Sequence, residues 1–503
     1  MSVYDNLGDL IDRSRDLAKP ALLDLGGEQP PRTVTYGAFD DLANSVARGL
    51  MQRGLAHGDH VALLSANRTE FLAAYCGILR AGGIAVPVNW KFPRATIAYV
   101  LQDSDARLVF CDTPRRQDVP ASLPTVEFGS EAADGFHAFL APGPCATVRP
   151  QPDAPAMLLY TSGSTGRPKG VILSHASHLW VAQTRAAGKD WSTQRLLVAA
   201  PLYHMNALAL AQFASVAHAT VVLMPQFNAR AYLEAIARYH CTWLTAVPPM
   251  MAMMLREHDL MARTDLSSVQ HVRMGSAPVS QSLLDQLQAC LPQASISNVY
   301  GTTEAGPVVF GPHPEGLPQP GLSVGYPHPA VQLRLVDAPG CEADEGELEM
   351  RCPALMSGYQ KLPEATARAC TADGYYATGD VFRRDAHGFY YFVGRVDDMF
   401  VSGGENIYPS EVEKMLEQHP AIEQACVIPL PDDIKGMKPV AFVVLKQGVA
   451  VTEDDIKHYA LANAPAYQHP RRVWCVAELP LAGTNKIDRQ ALAERAQRAM
   501  GHV

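Results

Sequence analysis

The chain has 503 residues, 48% of them hydrophobic and 18% charged, with a formal net charge of −9. That length exceeds one compact core, so two or more domains are expected, and the acidic balance, without a basic block, argues against a nucleic-acid binder. Its ten cysteines stand singly and never as C-x-x-C, which suits a reducing, cytoplasmic setting and offers neither a disulfide nor a zinc framework.

The first residues, MSVYDNLGDLIDRSRD, are too acidic and polar for a signal peptide. Phe39, Leu42, Val46, Leu50 and Met51 recur at helical spacing over residues 36–54. Residues 60–65 then read as a strand and 69–80 as a helix stopped by Gly82-Gly83. A strand over 84–88, a helix over 97–101 and a strand over 108–111 continue the alternation. Such alternation predicts βαβ units and a parallel sheet covered by helices. A proline-rich loop spans about residues 114–155.

Two apolar runs, 157–160 and 171–173, bracket Thr161-Ser162-Gly163-Ser164-Thr165-Gly166-Arg167-Pro168-Lys169-Gly170. The outline is a strand, a mobile loop and a second strand. Glycines let backbone N–H groups approach an anion closely, and successive N–H groups form an anion-binding concavity. Lys169 adds charge, so a polyphosphate is the expected ligand. The common phosphate loop G-x-x-x-x-G-K-S/T is not met, because Pro168 precedes Lys169 and Gly170 follows it.

The most apolar region, residues 196–227, holds Pro201, His204, Asn206, Gln212 and His218 and reads as buried core, with no membrane span. His175 and His178 share a helix face but lack a third ligand, so no metal is read there. Strands over 197–200, 219–224, 242–247, 269–274 and 296–300 are expected, with helices over 231–239 and 250–257. In open α/β sheets ligands bind beyond the carboxyl ends of strands. The polar stretches after strands at 161, 204, 275 and 301 are therefore expected to converge on one crevice.

After about residue 320, short strands with Gly and Pro turns predict an antiparallel or barrel-like segment. Gly394-Arg395-Val396-Asp397-Asp398 reads as a junction. Helices over 409–419 and 453–462 and strands over 422–428 and 441–446 then make a small α+β unit. The fold class is α/β: a large N-terminal domain, 1–395, of parallel-type sheets covered by helices plus the barrel-like segment, and a small mobile C-terminal α+β domain, 396–503.

The string from Thr161 to Gly170 closely resembles the phosphate loop of the adenylate-forming superfamily, which comprises acyl-CoA synthetases, amino-acid adenylation domains and luciferases. Tyr300-Gly301-Thr302-Thr303-Glu304 and Tyr376-Ala377-Thr378-Gly379-Asp380 match further motifs of that superfamily. The resemblance implies that Tyr300 stacks on adenine, Thr303 meets the α-phosphate, Glu304 holds Mg²⁺ and Asp380 accepts from the ribose hydroxyls. Arg395 would contact ribose or phosphate, and Asp397 or Asp398 would be the hinge. Gly404, in Ser402-Gly403-Gly404-Glu405, would let a pantetheine arm pass. The same glycines also suit a tight turn before the next helix. Lys486, in Gly483-Thr484-Asn485-Lys486-Ile487-Asp488, resembles the catalytic lysine.

The expected reaction uses ATP and Mg²⁺ to convert a small carboxylic acid into an acyl-adenylate, which a thiol then captures. Three acceptors are open: coenzyme A, a carrier-protein phosphopantetheine, or oxygen. Coenzyme A is favoured. Tyr203-His204-Met205-Asn206 lacks the aspartate that amino-acid adenylation domains use for the substrate amine, and Tyr467, His469 and Arg471 resemble the segment that holds the nucleotide end of CoA. One departure is Lys435-Gly436, where Trp-Gly is usual. His204, Met205, Asn206, Val247, Pro248, Met250, Gly275, Ser276, Ala277 and Thr302 are expected to line the acyl pocket. That set is mostly apolar and suits an aromatic or medium-chain acid better than a diacid, which would want an arginine. Arg273 lies nearby, but its direction is not fixed by the sequence. The protein is expected to be a monomer or homodimer.

Overall fold

The structure is a computed structural model that describes residues 4–26, 30–132, 135–151, 153–161, 167–337, 341–402, 405–432, 434–482 and 486–500. Two seven-stranded sheets form its large part. The first runs, edge to edge, through Ser295–Asn298, His271–Met274, Trp243–Ala246, Arg195–Val198, Thr220–Leu223, Pro20–Asp24 and Arg32–Thr35. Its pairs are parallel except for the closing hairpin of the last two strands. The second runs through Gly358–Tyr359, Lys169–Ser174, Pro155–Thr161, Ile84–Pro87, His60–Leu64, Leu108–Asp112 and Thr125–Phe128. Pro155–Thr161 and Lys169–Ser174 are antiparallel, as are Lys169–Ser174 and Gly358–Tyr359, and the remaining pairs are parallel.

Inner strands such as Thr220–Leu223 and Ile84–Pro87 are buried throughout because both of their faces are covered. Leu196 and Val198 face a core shared with Val61 and Leu63 of the second sheet, whereas Leu197 and Ala199 face a separate core behind the first sheet. Ala62 and Leu64 likewise point to a third core behind the second sheet. Helices Tyr36–Gln52, Thr69–Arg80, His175–Ala186 and Met205–Ala217 contribute to the shared core. Thr35 and Ser174 start two of these helices, each side chain accepting a backbone N–H of the first turn. Arg80 is fully buried there. It is paired at 2.7 Å with Asp40 and bonded to Asn44 and to the Gly8 carbonyl, which ties the N-terminal segment down.

A four-stranded antiparallel sheet follows, in the order Gln332–Val336, Glu345–Arg351, Tyr376–Arg384, Tyr390–Arg395. The C-terminal unit has its own sheet of Glu405–Ile407, Phe400–Ser402, Gly436–Leu445, Ile422–Asp432 and the parallel strand Val473–Val476. Pro409–Glu417 and Glu453–Asn463 pack on one face of it and Arg489–Ala499 on the other. The unit is attached to the strand Tyr390–Arg395, since Ser410 and Lys414 donate to the Val393 and Phe392 carbonyls. An ion pair, Arg256–Glu423 at 3.0 Å, also joins it to the large part.

Several elements depart from the pattern read in the sequence. The stretch 114–155 contains the strand Thr125–Phe128 and a short helix, Phe136–Phe139, whose Val126, Phe128, Phe136 and Phe139 are buried. Surrounding prolines and glycines hide so short a pattern. The helix Gln281–Cys290 and the polar helix Arg489–Ala499, which buries only Leu492 and Ala496, also escape it. The strand Pro20–Asp24 pairs with Thr220–Leu223, and Arg32–Thr35 folds back on it to close that edge.

The first sheet positions the site through one close approach. A Cβ at Gly275 would stand 2.6 Å from the Val299 carbonyl oxygen. Gly275→Ala is therefore expected to force the two strand ends apart and to cost about 1–3 kcal/mol, read as a lower unfolding temperature of the large part by circular dichroism.

Candidate active site

The antiparallel hairpin of Pro155–Thr161 and Lys169–Ser174 sets Thr161 opposite Lys169. Ser162, Gly163, Ser164, Thr165 and Gly166 lie outside the described residues. Lys169 Nζ stands 4.6 Å from the centre of the Tyr359 ring, and Tyr359 Oη donates to Glu304 Oε1 at 2.9 Å. One tyrosine thus carries a cation over its face and a carboxylate on its hydroxyl. Burial first, and Glu304 second, push that hydroxyl pKa up. Among the described residues no group of three or more His, Cys, Asp or Glu could hold a metal ion. A single carboxylate, Glu304, near the cation of Lys169 fits Mg²⁺, which commonly completes its shell with water and phosphate oxygens.

Asp380 is the centre of the other half. It lies on the strand Tyr376–Arg384 and is 5% exposed. Tyr300 Oη donates to its Oδ2 at 2.5 Å, and Arg395 Nη1 to its Oδ1 at 3.0 Å. Its backbone N–H donates to Thr378 Oγ1, which in turn donates to the Leu348 carbonyl. Burial raises the Asp380 pKa, against the opposing pull of Arg395, Tyr300 and Lys486. The Tyr300 ring packs edge-on against Phe382, with centroids 4.8 Å apart. Gly379 has φ +70, and its N–H donates to Glu347.

Lys486 reaches this group from the C-terminal unit. It is exposed as a residue, yet desolvation lowers its pKa below the ordinary lysine value, with Asp380 opposing and Arg395 adding. It is also close enough to His204 to depress that ring, whose pKa falls to about 3 chiefly through burial, then through Lys486 and Lys91. His204 precedes the first turn of Met205–Ala217, and its buried Nε2 has no hydrogen-bond partner. The imidazole is neutral at pH 7.

The other anticipated positions separate into two groups. Gly275, Ser276, Ala277 and Thr302 lie on the loops beyond His271–Met274 and Ser295–Asn298, with Ser276 at φ +65 and Thr302 accepting the Ala305 N–H. Thr303 follows, half-buried. Met205 is buried at the start of its helix. Val247 and Met250, in contrast, pack in the core behind the first sheet. Asp397 is exposed just past Arg395. His469 is buried with Nδ1 unpartnered, Tyr467 packs on the C-terminal core, and the Arg471 N–H donates to Pro439. Gly404 lies outside the described residues. His175 accepts the Leu7 N–H, and burial lowers the pKa of both His175 and His178 to about 4.

Residues 13–360 match the AMP-binding enzyme family, and residues 411–486 match the AMP-binding enzyme C-terminal domain. The chain belongs to the AMP-binding enzyme family. Among its relatives in that family is a fatty acid–acyl-carrier-protein ligase of Streptomyces coeruleorubidus, 32% identical, covering 92% of each chain. A sulfoacetate–CoA ligase of Cupriavidus necator is 31% identical over 98% of each. An anthranilate CoA ligase in complex with anthranoyl-AMP superposes with a TM-score of 0.89 at 28% identity, covering 100% of this chain and 99% of that one.

Two residues of this AMP-binding enzyme were not singled out by its motifs. Tyr359 reaches Glu304 and Lys169 only because Gly358–Tyr359 pairs with Lys169–Ser174, a contact that no local pattern announces. Lys91 acts on His204 from a loop with no motif of its own.

Two pH limbs follow from the shifted groups. A raised Asp380 pKa means that its acceptor is lost, as pH falls, earlier than for an ordinary aspartate. The kcat/KM for ATP is expected to decline on that acid limb, and Asp380→Asn to remove the limb while raising KM for ATP about 10- to 100-fold. A lowered Lys486 pKa means that the cation is lost, as pH rises, before an ordinary lysine would lose it. The alkaline limb is expected to move outward in Lys486→Arg, and initial-rate profiles across pH check both limbs.

Proposed function

We propose that this AMP-binding enzyme is an ATP-dependent carboxylic acid:CoA ligase acting on an aromatic or medium-chain carboxylate. The observation that carries the reading is Lys486 of the C-terminal unit placed beside Asp380 and His204 of the large part. In the first half-reaction a carboxylate oxygen attacks the α-phosphorus of ATP. The bond to the β-phosphate oxygen breaks, giving acyl-adenylate and pyrophosphate. Lys486 offsets the negative charge that builds at the reacting phosphate and carboxylate. Asp380, fixed by Thr378 and Arg395, accepts from the ribose, and Lys169 and Thr161 flank the phosphate loop. Glu304 would hold Mg²⁺, whose charge when bound screens the phosphates.

In the second half-reaction the CoA thiol gives up its proton and its sulfur attacks the acyl carbon. The C–S bond forms as the C–O bond to AMP breaks. Tyr467, His469, Arg471 and Gly404 are proposed to receive CoA. The C-terminal unit would turn about Asp397 to bring them in, because one surface cannot serve both steps. Support for the thioester product comes from the relatives named as CoA ligases. The relative named for an acyl-carrier protein keeps a second acceptor, a carrier-protein phosphopantetheine, in the test.

Pyrophosphate release from Mg-ATP across a panel of acids checks this. Sustained turnover with CoA, and at most a single burst without it, is the expected outcome. A burst that CoA does not prolong but a phosphopantetheine carrier protein does would transfer the activity to the second acceptor. Lys486→Ala is expected to slow pyrophosphate release about 100- to 1000-fold while a supplied acyl-adenylate is still converted to thioester.

A further inference from the structure

The face of the first sheet that looks into the shared core carries Trp243 and Thr245 on one strand and His271 and Arg273 on the next, paired in register. Residues two apart on a strand share a face, and Trp243 belongs to the shared core while Leu244, Val272 and Met274 belong to the core behind. Arg273 is thus turned toward the helices His175–Ala186 and Met205–Ala217. Its guanidinium lies 5.9 Å from the Trp243 ring, and that of Arg185 lies 5.3 Å from the Phe213 ring. Trp191 closes the group, 5.2 Å from Trp243 and 5.9 Å from Phe213.

Both arginines are half-buried, and the Arg185 head lacks what a shielded guanidinium ordinarily has. Arg185 Nε and Nη1 are shielded from water and have no hydrogen-bond partner, and Trp191 Nε1 is likewise unpartnered. Among the described residues neither Arg185 nor Arg273 has an ion pair, in contrast to Arg80 with Asp40. Desolvation, and then the neighbouring charge of Arg273, lower the Arg185 pKa to about 9. Aromatic faces compensate a guanidinium only in part. Two cations held together without a counter-charge are costly unless an anion completes the site.

Their depth is set by the strands and helices. Arg273 is two residues before Gly275, about 7 Å down the strand at 3.3 Å per residue. Phe213 is nine residues past His204, about 13 Å along the helix at 1.5 Å per residue. Arg273, and Arg185 at Phe213, therefore lie inward of Gly275 and His204 along the strand and the helix. We propose that Arg185 and Arg273 form the floor of the acyl site and receive a second anionic group, a carboxylate or a sulfonate, at the far end of the substrate. This rests on the ligase reading and deepens it. The carbon skeleton remains one aromatic ring or a chain of several carbons, long enough to join the two ends, and Trp243 and Phe213 would pack on it. A planar guanidinium suits either oxyanion through paired N–H donors.

The test compares acids with a common skeleton in wild-type enzyme: benzoate with benzene-1,4-dicarboxylate and 4-sulfobenzoate, and hexanoate with hexanedioate. Pyrophosphate release is expected to show a kcat/KM about 100-fold higher for the dianion of at least one pair. Which dianion wins distinguishes carboxylate from sulfonate. Arg273→Met and Arg185→Met are each expected to cut the dianion-to-monoanion ratio about 100-fold, with Arg273→Lys cutting it less. Monoanions that match or exceed their dianions in wild-type enzyme would overturn the proposal and leave the ligase reading intact. If no acid releases pyrophosphate, the ligase reading fails, and the site is then judged by thermal shift with the dianions alone. A shift present in wild type and absent in a folded Arg273→Met or Arg185→Lys protein supports it, and no shift in wild type overturns it.

Discussion

The carboxylate of Asp380 is where the parts of this molecule meet. Tyr300 from the loop after Ser295–Asn298 and Arg395 from the end of the strand Tyr390–Arg395 both bond to it, and Lys486 from the C-terminal unit acts on it through space. Burial alone would favour the protonated form. The surrounding donors and cations, Arg395, Tyr300 and Lys486, oppose that tendency. Three segments remote in sequence thereby converge through one ionisable group.

The charges of the crevice fall into a consistent pattern. Carboxylates at Glu304 and Asp380 each carry a tyrosine hydroxyl, and cations at Lys169, Arg395 and Lys486 stand near them. A site that must gather a polyphosphate and a carboxylate needs net positive potential where they meet, without cations neutralised by close ion pairs. Lys486 meets this need, since its charge is felt by Asp380, Arg395 and His204. The neutral His204 beside it adds no competing charge.

Burial of charge takes two forms here. Arg80 is surrounded by Asp40, Asn44 and backbone carbonyls, so its function is structural: it anchors the N-terminal segment to the Tyr36–Gln52 and Thr69–Arg80 helices. Arg185 and Arg273 have rings for neighbours and, among the described residues, no ion pair. Removing one partner from a satisfied buried pair is strongly destabilising. A guanidinium without such a partner is a different object, and the proposed acyl floor supplies its counter-charge from the substrate.

Much of the fold was legible in the sequence because strands buried on both faces are unbroken apolar runs and because glycines and caps mark helix ends. The helix Thr69–Arg80 and the hairpin around Thr161 and Lys169 follow from residue order alone. So do the motif positions Tyr300, Glu304, Asp380, Arg395 and Lys486, whose neighbours in sequence carry the signal. What residue order could not supply was pairing. That Gly358–Tyr359 joins Lys169–Ser174, that Val247 and Met250 turn into the core behind the sheet, and that Arg273 turns toward Arg185 are settled by sheet register and helix packing. A side chain's direction from a strand depends on which face its neighbours cover. That is a property of the assembled layers and not of any one segment.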